Sequence, residues 1–194
     1  MFSTKTTTHN HSGFSLYTAD GKPKYLNQSE RKRFLECANT RDRSIRLLCH
    51  VLVYSGCRLT EALNLSCDSI LEPEKALSIR SLKKRSQVSF RHVPVPNKLI
   101  AELVELSQEN PYRLFRWQRT QALHHVKQVM KSADIDGVRG TARGLRHTFG
   151  THGMHRGIPL TLLQRWFGHS KLEMTAIYTQ VLGQEERDIA SKMW

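Results

Sequence analysis

The sequence predicts a mainly helical α+β domain with a small three-stranded antiparallel sheet. Amphipathic windows, with apolar residues at helical spacing and recognisable caps, run through both halves of the chain. Between them lie three short β-like runs, around 67–71, 76–81 and 88–95, separated by Glu72-Pro73-Glu74 and by the basic Lys83-Lys84-Arg85. The 194 residues suffice for one domain with a real core, and not comfortably for two.

Residues 1–24 are rich in Ser, Thr, His, Lys and Gly with little periodicity, and read as a flexible N-terminal arm. The ordered domain, 25–180, is expected to begin at Tyr25-Leu26, because Asn27 followed by Glu30 is an N-cap with its capping-box partner. The next helix carries Ile45, Leu47, Leu48, Val51, Leu52 and Tyr54 on one broad face and stops at Gly56. Arg58 then opens a short helix, with Glu61 one turn on and facing the same way; taken alone, such a pair is an ordinary solvated contact. After the strands, a helix is expected over 97–107 and is broken by Asn110-Pro111. Another is expected over 119–132, with His124 and His125 at its surface. A glycine-containing loop over 133–140 leads into 141–178.

That last stretch, TARGLRHTFGTHGMHRGIPLTLLQRWFGHSKLEMTAIY, is clearly punctuated. Gly157 and Pro159 stop one helix and start another, and Gly168 is a left-handed C-cap for the second. Ser170 with Glu173 reads as a capping box for a third helix that would carry Leu172, Ile177 and Tyr178. On one continuous helix at ~100° per residue, His169 and Tyr178 would face opposite ways; a turn between them lets them converge. The tail, 181–194, is a short amphipathic segment with Ile189, Met193 and Trp194 on one side.

Thirty Lys plus Arg against 17 Asp plus Glu give a formal charge of +13 and a pI near 10.0, which favours a polyanionic partner, nucleic acid first. A membrane fits poorly, since no run approaches the ~18–20 apolar residues of a spanning helix. The four cysteines, Cys37, Cys49, Cys57 and Cys67, contain no C-x-x-C pair and read as small buried hydrophobes in a reducing compartment. The N-terminus lacks the apolar core of a signal peptide, so a cytoplasmic, nucleoid-associated location is expected. His147, His152 and His155 have spacings of five and three, not the i, i+4 pair of a zinc helix, and no metal or cofactor is expected.

Three ordered pieces, G-L-R-H, L-L-Q-R-W-F-G-H-S and M-T-A-I-Y, together with the earlier G-C-R-L-T-E-A-L, resemble the catalytic domain of the tyrosine recombinase (phage integrase) family over roughly residues 25–180. The resemblance implies that family's fold. It implies Arg58 and Arg146 as the catalytic arginines, Glu61 as the acidic residue that holds the site together, His169 as a phosphate donor and Tyr178 as the nucleophile. A lysine on the cationic hairpin is implied too, Lys83 first and Lys84 close behind, with a solvated basic turn as the alternative. His147, beside Arg146, is expected to buttress. Arg143 stands where the family most often has histidine, and Gly144 where an acidic residue is usual. Arginine can bind phosphate at that position but cannot act as a base at neutral pH.

Such residues suit metal-independent cleavage of a DNA phosphodiester. Tyr178 would attack phosphorus to give a 3′-phosphotyrosyl link, the guanidinium groups would clamp the non-bridging oxygens, and the lysine would protonate the leaving 5′-oxygen. The expected function is site-specific recombination: integration, inversion or resolution. The alternatives are a DNA-binding accessory protein on the same fold with weak or no cleavage, and a type IB topoisomerase-like relaxing activity. The resemblance further implies double-stranded DNA as partner, a homo-oligomer (tetramer) on paired sites, accessory DNA-bending proteins, and docking of the tail in cis or onto a neighbouring protomer. The separate helical domain usual ahead of this one is not seen in the sequence. The initiating Met and the Ser/Thr-rich arm favour a naturally short member, like the fimbrial-switch recombinases, over a separated catalytic domain.

Overall fold

The computed structural model describes residues 15–81 and 88–180, together with 187 and 190–193. Among the described residues, eight α-helices and three strands follow one another as α1 (Gln28–Asn39), α2 (Arg43–Ser55), α3 (Leu59–Ala62), β1 (Ile70–Leu71), β2 (Ala76–Arg80), β3 (Phe90–Pro94), α4 (Asn97–Glu109), α5 (Arg119–Ser132), α6 (Ala142–His155), α7 (Leu160–Phe167) and α8 (Glu173–Ala176). The expected mainly helical α+β class with a three-stranded antiparallel sheet is what the chain adopts.

Local signals set most boundaries. The Asn27 side chain accepts from the Glu30 backbone N–H while the Glu30 carboxylate accepts from that of Asn27, closing the capping box of α1. Glu30 also pairs with Arg139 at 3.1 Å, which ties the start of α1 to the turn ahead of α6. Gly56 and Gly168 end α2 and α7 in the left-handed conformation, at φ of 59° and 66°. At Gly56 there is a second reason for glycine, since a Cβ would lie 2.4 Å from the Phe149 ring.

Helix α2 is the hub. It packs against α1, α4 and α6, and Leu47, Leu48, Val51 and Leu52 are buried in the main core. Arg46 pairs with Glu102, and Arg43 with Glu105 and Glu109, fixing the polar edge of α2 to α4. In the sheet the order is β1-β2-β3, with Leu77 opposite Val93 and Ile79 opposite Arg91 on the inward face. An arginine thus occupies a core-facing strand position.

Four expectations need correction. The segment Ser15–Lys24 is not a free arm. Leu16 is fully buried in a second core with Tyr25, Leu163, Phe167, Ile177 and Tyr178, and the chain turns back so that Tyr17 bridges Pro23. A single apolar pair in a polar segment shows no periodicity, yet one leucine suffices to anchor the turn. The Ser170 cap does not form either: α8 is only four residues long, starts at Glu173 without a side-chain cap, and continues as a 3-10 turn over Ile177–Thr179. The chain already turns at Leu172, whose carbonyl accepts from Thr175 and Ala176, so Ser170 lies too early to serve and Leu172 is exposed. Cys67–Ser69 is a 3-10 turn, not strand. Cys49 and Cys57 are buried and Cys37 is half-buried, but Cys67 is exposed. The hairpin residues Lys83 and Lys84, the first 14 residues and most of 181–194 lie outside the described residues.

Candidate active site

Packing of α3, α5, α6, α8 and the Ser15–Lys24 turn leaves a cleft of about 770 Å³. Arg58, Arg143, Arg146, His147, His169 and Tyr178 all line it. Residues separated by up to 120 positions in the chain therefore face one space, and Lys24 and Arg119 add to its positive character.

Arg58 sits at the N-cap of α3. Its backbone N–H and its Nη1 each donate to the Glu61 carboxylate at 2.8 Å. Glu61 is wholly buried and also receives Arg91 Nη2 at 2.6 Å. Burial alone would raise the Glu61 pKa, but Arg91, by hydrogen bond and charge, and then Arg58 outweigh it, leaving the carboxylate below its ordinary value. Arg91 Nε donates to the Trp166 carbonyl at 2.7 Å, anchoring the same carboxylate to the end of α7. Arg91 was missed in the sequence. Its signal was parity with Val93 and Val95 on a strand, since an inward arginine demands a buried acid.

Arg146 is buried and donates Nη1 to the Gly56 carbonyl at 2.7 Å and Nη2 to the Phe167 carbonyl at 3.0 Å. The same Nη2 lies 3.0 Å from His169 Nε2. Burial, and then the charge of Arg58, pull its pKa down to about 10, so it stays cationic at neutral pH. Because arginine only donates, His169 Nε2 accepts, and its Nδ1–H is then directed to the Thr175 hydroxyl, 2.9 Å away and fully buried. Phe167 ties these groups together: His169 and Tyr178 each stack on its ring at 5.0 Å, and the Arg146 guanidinium lies 4.6 Å from its centroid. Thr175 and Phe167 carried no sequence signal beyond their nearness to His169.

Tyr178 is 2% exposed. Its ring lies over Gly150 of α6, where a Cβ would come within 2.5 Å, so a glycine makes the seat. Its hydroxyl is 3.3 Å from Nδ1 of His147. Burial pushes its pKa up to about 12, against the opposing pull of Arg146, Arg58 and Arg143. Burial, then Arg143, Arg146 and Lys24, press His147 down to about 4.

Arg143 is exposed at the mouth of the cleft. At Gly144 a Cβ would fall 1.9 Å from the Arg139 carbonyl oxygen, so this backbone admits no side chain where an acidic residue would be usual. Among the described residues no cluster of three or more His, Cys, Asp or Glu could hold a metal, and no helix is long and apolar enough to cross a membrane.

The model of the phage integrase family matches residues 24–185. The chain is 29% identical over 182 residues to the tyrosine recombinase XerA of Pyrococcus furiosus and 30% identical over 179 residues to that of Thermococcus kodakarensis. Each comparison covers 88% of this chain and 62% of the relative, so the chain spans roughly three fifths of their length. Among solved structures, that of the XerA recombinase aligns with a TM-score of 0.75 at 24% identity, covering 87% of this chain and 64% of that one. The catalytic domain of bacteriophage HP1 integrase aligns with a TM-score of 0.65 at 24% identity, covering 86% and 93%.

Proposed function

Since this chain belongs to the phage integrase family, we propose that it cuts and rejoins DNA strands in site-specific recombination, through a 3′-phosphotyrosyl intermediate at Tyr178. The observation that carries this reading is the convergence of Arg58, Arg146, His169 and Tyr178 on one cationic cleft. A phosphodiester entering there meets two fixed guanidinium groups suited to its non-bridging oxygens. Protonation of His169 would turn Nε2 from an acceptor into a donor toward the same oxygens. Arg143 adds a third cation at the mouth. Lys83, with Lys84 as the alternative, protonates the leaving 5′-oxygen in this reading.

The formal charge of +13 supports double-stranded DNA as the partner. A tetramer on paired sites, accessory bending proteins, and docking of 181–194 in cis or onto a neighbouring protomer complete the proposal. Deleting 184–194 and finding unchanged assembly on a full site would remove the docking role.

The test is covalent trapping. A pool of nicked duplexes carrying randomised inverted repeats is incubated with the protein, and detergent-resistant adducts are recovered and sequenced. Adducts that vanish in Tyr178→Phe support cleavage. DNA binding without any adduct would leave a non-cleaving DNA-binding protein, and relaxation of plasmids lacking the recovered site would point to a topoisomerase.

A further inference from the structure

A phenol that attacks phosphorus must give up its proton, and most groups lining this cleft cannot receive it. Lys24, Arg58, Arg119, Arg143 and Arg146 are donors at neutral pH. His169 Nε2 already accepts from Arg146, and its Nδ1–H is directed to Thr175. His147 differs. Its Nδ1 lies 3.3 Å from the Tyr178 hydroxyl, with the two rings tilted by 53° at a centroid distance of 6.0 Å.

We propose that His147 is a catalytic residue, the general base that takes the Tyr178 proton during attack and returns it on rejoining. This rests on the cleavage reading above. As the Tyr178 oxygen bonds to phosphorus, its proton passes to His147 Nδ1. The bond from phosphorus to the 5′-oxygen breaks, and its electron pair leaves with that oxygen, which takes a proton from the hairpin lysine. In the reverse step a 5′-hydroxyl attacks phosphorus and returns its proton to the lysine, the bond from phosphorus to the Tyr178 oxygen breaks with its electron pair, and the departing phenolate recovers the proton from His147.

The surroundings favour this assignment. His147 is held neutral, and in the tautomer that carries its hydrogen on Nε2 the Nδ1 lone pair is available to accept from the phenol. The charged and titratable groups facing it are Arg143 and Arg146 from α6, Lys24 from the N-terminal turn and Tyr178 after α8. A phosphate entering the cleft offsets the two arginines. The base therefore strengthens when substrate arrives, and stays weak in the free protein.

The experiment uses a duplex recovered from the randomised pool and single-turnover adduct formation between pH 6 and 9. We expect His147→Gln to slow the step by about 10²–10³-fold at pH 7. Its rate should then climb about tenfold per pH unit, while wild type stays nearly flat and DNA affinity is unchanged. In His147→Ala, added imidazole should restore part of the rate. Wild-type rates in His147→Gln, or a slowed variant with a flat profile and no imidazole rescue, would reduce His147 to a buttress and overturn the role. If wild type itself forms no adduct, the cleavage reading falls first, and this role with it.

Discussion

Replacing Arg91 by methionine probes the joint that supports the cleft. The guanidinium is 5% exposed and its partner Glu61 wholly buried, so the substitution strands a carboxylate whose remaining counter-charge is Arg58. It also removes the donor to the Trp166 carbonyl. Removing one member of a buried ion pair costs about 3–5 kcal/mol, and in a domain of this size each kcal/mol moves the melting temperature by about 2–4 °C. Arg91→Met should therefore melt roughly 6–20 °C below wild type by circular dichroism. Glu61→Gln should destabilise as well, because it leaves Arg91 buried without its anion. The double variant should recover about 1–3 kcal/mol relative to the sum of the single losses, the coupling expected of residues in direct contact. Additive losses, or a single loss below about 1 kcal/mol, would refute the joint.

Three further outcomes follow. Gly150→Ala places a methyl group 2.5 Å from the Tyr178 ring and should cost about 1–3 kcal/mol, and nitration mapped by peptide mass should find Tyr178 more reactive. Thr175→Val removes the acceptor for His169 Nδ1–H while keeping shape; adduct formation on a recovered duplex should slow roughly tenfold, with DNA affinity unchanged in gel shift. His147 and His152 are both held near 4 against 6.5 in the unfolded chain, His147 by burial and then Arg143, Arg146 and Lys24, and His152 by burial and then Arg31, Arg156 and His155. Between those values the unfolded chain binds more protons, so stability should be fully present above pH 6.5 and fall as pH drops toward 4. The loss should be on the order of 2 kcal/mol per residue in melts across that range, and His147→Gln should remove its share.

What could be read in advance was local. Asn27 with Glu30, Gly56 and Gly168 each fix a boundary through bonds within a few residues, and a sequence displays such bonds directly. Arg58 and Glu61 share a helical turn, so their pairing was visible, although its burial was not. Partners set by tertiary packing were hidden. Arg91 looks like a polar residue of an edge strand until Glu61, 30 positions earlier, is placed against it. Leu16 had no periodic neighbours, and nothing in the sequence singled out Phe167, although its ring stacks against two site side chains. Ser170 shows the reverse failure, a sound local cap signal overridden because the backbone turns two residues later.

Helix α6 carries Arg143, Arg146, His147 and the Gly150 seat within 14 residues. A helix of that length is a stiff rod, so the spacing from the two arginines to His147 and to the glycine under the Tyr178 ring is set by 1.5 Å steps, whatever the rest of the chain does. Adjustment is left to the four-residue α8 and the turn after it, which deliver the phenol from outside the rod. On the proposed cleavage reading, timing would then reside in how that short connector is pulled, and fidelity in a ruler that does not stretch.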